Sequence, residues 1–169
     1  MCGLAGLWRS TPASDELLQG QARAMADAMV HRGPDDAGVW CEPARGVALA
    51  HRRLAILDLS PAGHQPMASA SGRFVIAFNG EIYNHHALRQ ELHAAGLLRH
   101  PWRGHSDTET LLAAIEAWGL EPTLHRCVGM FALALWDREQ SQLQLARDRF
   151  GEKPLYWGWM QQAGRPVLV

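Results

Sequence analysis

The run GMFALALWD, residues 129–137, restricts the fold more than any other stretch, because every side chain from Met130 to Trp136 is apolar. Successive side chains of an extended strand point to opposite faces. This strand is therefore apolar on both faces and needs cover on two sides. It heads a series of strand-like segments at hairpin spacing: SQLQLARD, PLYWGW and RPVLV. FVIAFNG from Phe74 reads as another strand, as do GVW near Gly38 and GVALAHRRLAIL from Gly46. The opening CGLAGLW is short, apolar and punctuated by glycine. It reads as a buried strand ending in the breaker cluster 10–14, with Cys2 at its very start.

Helices fall between these blocks. Leu18, Ala22, Met25 and Met29 recur at helical spacing, Asp15 and Glu16 suit a helix N-terminus, and His31, Arg32, Gly33 and Pro34 supply stop signals. The pattern predicts one helix over about residues 14–30. Leu88, Leu92 and Ala95 mark a second, and Leu111, Ile115 and Trp118 a third that Ser106 and Glu109 open at capping-box spacing. Helices among antiparallel-type strands, with one strand covered twice, predict an α+β fold with sheet buried beneath helices. No linker or repeat divides residues 1–169, which read as one domain. A chain of 169 residues can bury about 68–70% of its unfolded surface.

Composition excludes several function classes. No apolar run approaches the roughly 20 residues of a membrane span. Arg9, Ser10 and Pro12 interrupt the N-terminus before any signal or transit peptide could form. A soluble, cytoplasmic protein without membrane association is expected. Cys2, Cys41 and Cys127 are odd in number and widely spaced, which fits neither a disulfide framework nor a zinc site, so free thiols are expected. The nine histidines contain no metalloprotease-type pair, and adjacent His85 and His86 cannot face one ion from a strand, so no metal is expected. The net charge is −1, with no basic stripe. A nucleic-acid partner is therefore not expected, and the ligand should be small.

Four stretches could carry chemistry. Cys2 would combine a thiol nucleophile with its own α-amine as base, whose unperturbed pKa is about 7.7–8.0. That requires removal of Met1, which processing enzymes generally allow before a residue as small as cysteine. Read alone, Cys2 is equally well a small buried hydrophobe. In FNGEIYN, Asn79 offers an amide donor and Gly80 a backbone donor, the parts of an oxyanion hole. As a bare dipeptide, Asn-Gly reads more readily as a turn. In AHRRLAILDLS, two adjacent arginines would project to opposite faces, one into a cleft to fork onto a carboxylate and the other into solvent. In HSDTE, Asp107 either favours the helix dipole or holds a ligand's ammonium group.

Taken together, MCGLAG, HRGPDDAG from His31, HRRLAILDLS, FNGEIYN, SDTE, GMFALALWD and RDRFGEKPLYW from Arg147 resemble the glutaminase domain of the class II, N-terminal nucleophile, glutamine amidotransferases. The resemblance covers essentially the whole chain, in the family's order. RDRFGEKPLY, which holds Lys153 as the chain's sole lysine, is most similar to the asparagine synthetase branch. The resemblance implies a four-layer αββα sandwich of the N-terminal nucleophile hydrolase type. It implies Cys2 as nucleophile, its freed amine as base, and Asn79 and Gly80 as oxyanion donors. Arg53 would bind the carboxylate of glutamine, with Arg52 the variable position. Leu54, Ala55, Ile56 and Leu57 would supply backbone and wall contacts, and Glu81 and Asp107 would face the α-ammonium.

The implied reaction converts glutamine to glutamate and ammonia through a γ-glutamyl thioester on Cys2, without cofactor or metal. Ammonia has no use unless a second site consumes it, and no Ser-Gly-Gly phosphate loop occurs here. A C-terminal synthetase domain that uses ATP and Mg to amidate a carboxylate, most simply aspartate, is therefore expected beyond RPVLV, in a parent chain that could form a homodimer. Two alternatives remain. An amide hydrolase of the same superfamily acting on another acylated amine would lack the pairing of Arg53 with Asp107. A catalytically silent binding domain should have lost Cys2 or Asn79.

Overall fold

The strand 129–137 has the double cover that its sequence demands. The structure, a computed structural model, describes residues 2–169; Met1, and the expectation of its removal, lie outside the described residues. The elements are β1 (Gly3–Arg9), α1 (Asp15–Asp27), β2 (Asp36–Glu42), β3 (Val47–Arg53), β4 (Met67–Ala68), β5 (Phe74–Ile82), α2 (His85–Ala94), α3 (Asp107–Trp118), α4 (Leu120–Arg126), β6 (Gly129–Asp137), β7 (Gln142–Arg147), β8 (Trp159–Gln162) and β9 (Arg165–Leu168). They form two antiparallel sheets, ordered β2-β3-β1-β9-β8 and β4-β5-β6-β7.

Three apolar layers bind these sheets into the expected αββα sandwich. On one outer face, Leu18, Ala22 and Ala26 of α1 pack on Leu7, Ala48 and Ala50. The small alanines let helix and sheet approach closely. On the other, Leu88 of α2 and Leu111, Leu112 and Ile115 of α3 cover Ile76, Phe78, Phe131, Leu133 and Leu135. Between the sheets lie Val47, Leu49, Val75, Ala77, Ala134 and Trp136, joined by Leu4 and Trp8. The Trp8 and Trp136 rings meet edge to face at 5.6 Å. β6 thus sends odd-numbered side chains to the helices and even-numbered ones to the second sheet, which is why no polar residue interrupts it. No helix among the described residues is long and apolar enough to cross a membrane.

Four expectations are corrected. The first helix ends at Asp27, and Val30–Arg32 forms a separate 3-10 turn. Gly33 then passes so close to the end of β3 that a Cβ there would lie 2.6 Å from the backbone nitrogen of Arg53, which obliges the chain to leave helical geometry early. PLYWGW is not a strand; β8 begins only at Trp159, and β7 and β8 belong to different sheets. Asp148 causes this break. Its carboxylate accepts the N–H groups of Phe131, Phe150, Glu152 and Lys153, and so winds 148–153 into a turn. α4, too short to show a period, was not expected. Finally, Asn79-Gly80 is mid-strand rather than a turn. A Cβ on Gly80 would come within 2.7 Å of the Phe131 Cα on the neighbouring strand, so glycine here serves close cross-strand approach.

Trp136 is fully buried in the layer between the sheets. Trp136→Ala should cost about 3–5 kcal/mol, measured by urea unfolding, whereas Leu17→Ala, on the exposed side of α1, should change stability by less than about 0.5 kcal/mol.

Candidate active site

The layer between the sheets turns polar at one end, and strand alternation places the site there. In β3 the inward positions run Val47, Leu49, His51, Arg53; in β5 they run Val75, Ala77, Asn79, Glu81. Cys2 continues the inward set of Leu4 and Trp8, and Met130 that of Ala134 and Trp136. These ends open into a cleft of about 650 Å³, counting the solvent at its mouth. Its lining includes Cys2, Arg53, Leu54, Ile56, Leu57, Asn79, Gly80, Glu81 and Asp107. Every residue expected at the site is therefore on the wall except Ala55, whose N–H instead donates to Asp35 Oδ2 at 2.8 Å and ties the loop to the start of β2.

Cys2 sits against the loop that follows β3. Its Sγ accepts the Leu54 N–H at 3.4 Å and lies 3.7 Å from the Leu54 carbonyl oxygen, and its own carbonyl accepts Arg32 Nε at 3.2 Å. The thiol is thus at the cleft, and all three cysteines are unpaired. Arg53 is almost buried. It donates to the carbonyl oxygens of Asp58 and, at 3.2 Å, Ser60, and Gly63 leaves room for its guanidinium. Among the described residues it forms no ion pair, so its charge remains available to an anion. Arg52 departs from expectation. It is not solvated, but largely buried and 3.6 Å from Asp27.

The edge of β5 explains Gly80. β4 is two residues long and pairs only with Val75 and Ile76. Beyond it the same edge is served by side chains: Phe78 N–H donates to Gln65 Oε1 at 2.7 Å, Phe78 C=O meets His51 Nε2 at 2.9 Å, and Ile82 N–H donates to Asp107 Oδ2 at 2.8 Å. Backbone groups of an antiparallel strand alternate between its two edges. Gly80, midway between Phe78 and Ile82, therefore turns its N–H to this open edge, at the cleft. The Asn79 side chain, next to it, is buried.

Asp107 opens α3. Its Oδ1 also accepts the Thr108 N–H at 2.9 Å, while burial, with Glu81 adding to it, pushes its pKa up against these bonds. Ser106 caps the helix by accepting the Glu109 N–H at 3.2 Å. The return half of the capping box is shifted upstream, because Glu109 accepts the N–H groups of Arg103 (2.8 Å) and Gly104 (3.1 Å) instead.

Sequence reasoning missed three residues that shape the wall. Asp58 accepts the Ser60 N–H at 2.9 Å and the His105 N–H at 2.8 Å, joining the loop after β3 to the segment before α3. Bonding to Ser60 and His105 holds its carboxyl down at about 2. The Asp-x-Ser turn pattern in DLSP was the available signal. Gln65 joins β5 to Thr108, with Nε2 3.4 Å from Thr108 Oγ1, and had no signal in its polar loop. Lys153 was conspicuous as the sole lysine, but nothing in the sequence directed it to the cleft. Among the described residues no group of three histidine, cysteine or acidic side chains gathers as a metal site.

Residues 1–167 match the model of the Glutamine amidotransferase domain family. The chain belongs to that family. This amidotransferase domain is 39% identical over 158 residues to asparagine synthetase [glutamine-hydrolyzing] 2 of Bacillus subtilis, covering 93% of the chain and 20% of that protein. It is 38% identical to asparagine synthetase B of Escherichia coli, covering 94% and 27%, and 34% identical to amidase chry2 of Gibberella zeae, covering 93% and 24%. The chain thus spans about a fifth to a quarter of these relatives. Its fold is similar to that of glutamine phosphoribosylpyrophosphate amidotransferase of B. subtilis, solved with ADP and GMP. The TM-score is 0.74 at 17% identity, covering 99% of this chain and 41% of that one. The sandwich observed is the N-terminal nucleophile hydrolase fold expected from the resemblance.

The depressed pKa of Asp58 sets a pH window for this domain. Its stabilisation is complete above the ordinary carboxyl value of 3.8 and is lost as pH falls through about 2. Urea midpoints of wild type and Asp58→Asn should therefore differ most above pH 5 and converge as pH approaches 2; a gap independent of pH would contradict the assignment.

Proposed function

We propose that the domain hydrolyses glutamine to glutamate and ammonia on Cys2. One observation carries the reading: a thiol, an open strand edge bearing Asn79 and Gly80, and the opposed charges of Arg53 and Asp107 share one cleft. With Met1 removed, the free α-amine of Cys2 takes the Sγ proton, and the thiolate attacks the side-chain carbonyl carbon of glutamine. The oxyanion that forms is received by the Asn79 side-chain amide and the Gly80 N–H, donors held before the charge develops. Collapse breaks the carbon–nitrogen bond. The leaving nitrogen recovers the proton from the α-ammonium and departs as ammonia. Water, deprotonated by the same amine, then cleaves the γ-glutamyl thioester to glutamate. No cofactor or metal enters these steps.

Arg53 recognises the substrate's α-carboxylate, and Asp107 with Glu81 its α-ammonium. Burial, and to a lesser degree the neighbouring Glu81, raises the pKa of Asp107, and a cation bound between the two carboxyls would offset both effects. Leu54, Ile56 and Leu57 form the wall along the substrate's methylenes. An amide hydrolase for another acylated amine would have no use for opposite charges, Arg53 and Asp107, on the wall of one cleft. The ammonia passes to an ATP- and Mg-dependent synthetase domain that amidates aspartate or a related carboxylate, as the names of the asparagine synthetase relatives suggest. The cytoplasm, which keeps a thiol nucleophile reduced, is the compartment this chemistry suits.

The test is glutamate and ammonia production by purified protein whose first residue is Cys2. Cys2→Ala should abolish turnover while leaving the fold intact. Asn79→Ala should lower kcat by about 10²–10³. Arg53→Ala and Asp107→Ala should each lower kcat/KM by roughly one to two decades, mainly through KM, as loss of a charge-assisted contact of about 1.5–3 kcal/mol requires. Substantial turnover by Cys2→Ala would overturn the mechanism.

A further inference from the structure

His51 has no part in the chemistry above, yet it occupies the point where the layer between the sheets changes from apolar to polar. It is fully buried, one inward position after Leu49 and one before Arg53. Its Nε2 lies 2.9 Å from the Phe78 carbonyl oxygen, on the opposite sheet. That oxygen can only accept, so Nε2 carries the hydrogen. Nδ1 is then bare, and among the described residues it is buried without a partner. Burial pushes the imidazole down to about 4; Arg53 and His64 act in the same direction, while the Phe78 hydrogen bond and Asp36 oppose it. The ring is therefore neutral at physiological pH.

A leucine would fill this position with no orphaned nitrogen, as Val47 and Leu49 do above it. What a leucine could not do is satisfy Phe78, which is itself buried and lies beyond the reach of β4. Gln65 takes its N–H and His51 its C=O. Two side chains thus replace the missing stretch of neighbouring strand, and the edge can stay open at Gly80, two residues on. The Phe78 carbonyl also belongs to the peptide plane that leads into Asn79.

We propose that His51 is a positioning residue: its Nε2–H, donating across the sandwich to the Phe78 carbonyl, holds the strand of Asn79 and Gly80 at a set distance from Cys2 and Arg53. This rests on the proposed glutaminase reading. A strut of this kind affects the alignment of donors with the developing oxyanion more than it affects binding, because Arg53 and Asp107 have their own supports in the loop after β3 and in α3.

The experiment compares His51→Leu, which keeps the volume and removes the donor, with His51→Gln, whose side-chain amide can reach the same carbonyl. On folded protein with Cys2 as first residue, His51→Leu should lower kcat for glutamine at least tenfold with KM within about twofold, since small misplacements of reacting groups are costly. His51→Gln should return kcat to within about threefold of wild type. Unchanged kcat in His51→Leu, equal impairment of both variants, or a loss confined to KM would overturn the proposal. If His51→Leu does not fold, His51→Asn, too short to reach Phe78, replaces it with the same expectations. A wild type that fails to hydrolyse glutamine defeats the glutaminase reading instead. Nitrogen-15 NMR of the ring then decides the strut: a ring that carries a hydrogen on Nε2, and so can donate to Phe78, supports it, and a neutral Nδ1–H tautomer overturns it.

Discussion

The apolar layer between the two sheets is the constraint on which the rest of the molecule depends. Val47, Leu49, Val75, Ala77, Ala134 and Trp136 close it along most of its length. The same alternation that points those side chains inward also points Arg53, Asn79, Glu81 and Met130 inward where the layer ends. The cleft is therefore the unsealed end of the core, its strands emerging from a rigid sandwich. Charges placed there are partly screened from water, which strengthens each interaction with a ligand relative to a surface pair. The positions are also those least free to drift, because the strands beneath them are packed on both faces.

Loops around the cleft are held by acidic side chains bonded to backbone N–H groups. Asp58 joins the segment after β3 to the segment before α3, Asp107 joins α3 to the end of β5, and Asp148 folds the turn that brings Lys153 to the wall. For Asp148, burial alone would raise the pKa, but its four backbone donors outweigh that and lower it. Arg89 adds a cationic clamp from α2, donating to the carbonyls of Gly104 (3.1 Å) and Ser106 (3.0 Å) while stacking on Trp102. Such fixed frames suit a reaction in which donors must be in place before the charge appears.

Much of this was legible in the sequence. A strand apolar at every position demanded two layers of cover, and the cluster of motifs around Cys2, Arg53, Asn79 and Asp107 pointed to one cleft. What could not be read depended on contacts distant in the chain. Asn79-Gly80 carries the local signature of a turn, and only the neighbouring Phe131 backbone explains why glycine stands mid-strand. Arg52 looked solvated because its partner, Asp27, is on a different element. Ala55 was expected on the wall, but Asp35 turns its backbone away. PLYWGW has the composition of a strand, yet the chain is changing sheets there, which a local pattern does not encode. Gln65 and His51 do their work through single hydrogen bonds to Phe78, visible only once the shortness of β4 is known.

The central claim is that Cys2, and no other thiol, forms a covalent intermediate with a glutamine-shaped ligand. Burial pushes the Cys41 and Cys127 thiols up to about 11, leaving both protonated near neutral pH. Incubation of protein that begins at Cys2 with an electrophilic diazoketone analogue of glutamine, followed by peptide mass spectrometry, tests the claim most directly. One adduct per chain, located on Cys2 and suppressed by excess glutamine, is the predicted result. Labelling of Cys41 or Cys127, or labelling of Cys2 that glutamine does not suppress, would contradict it.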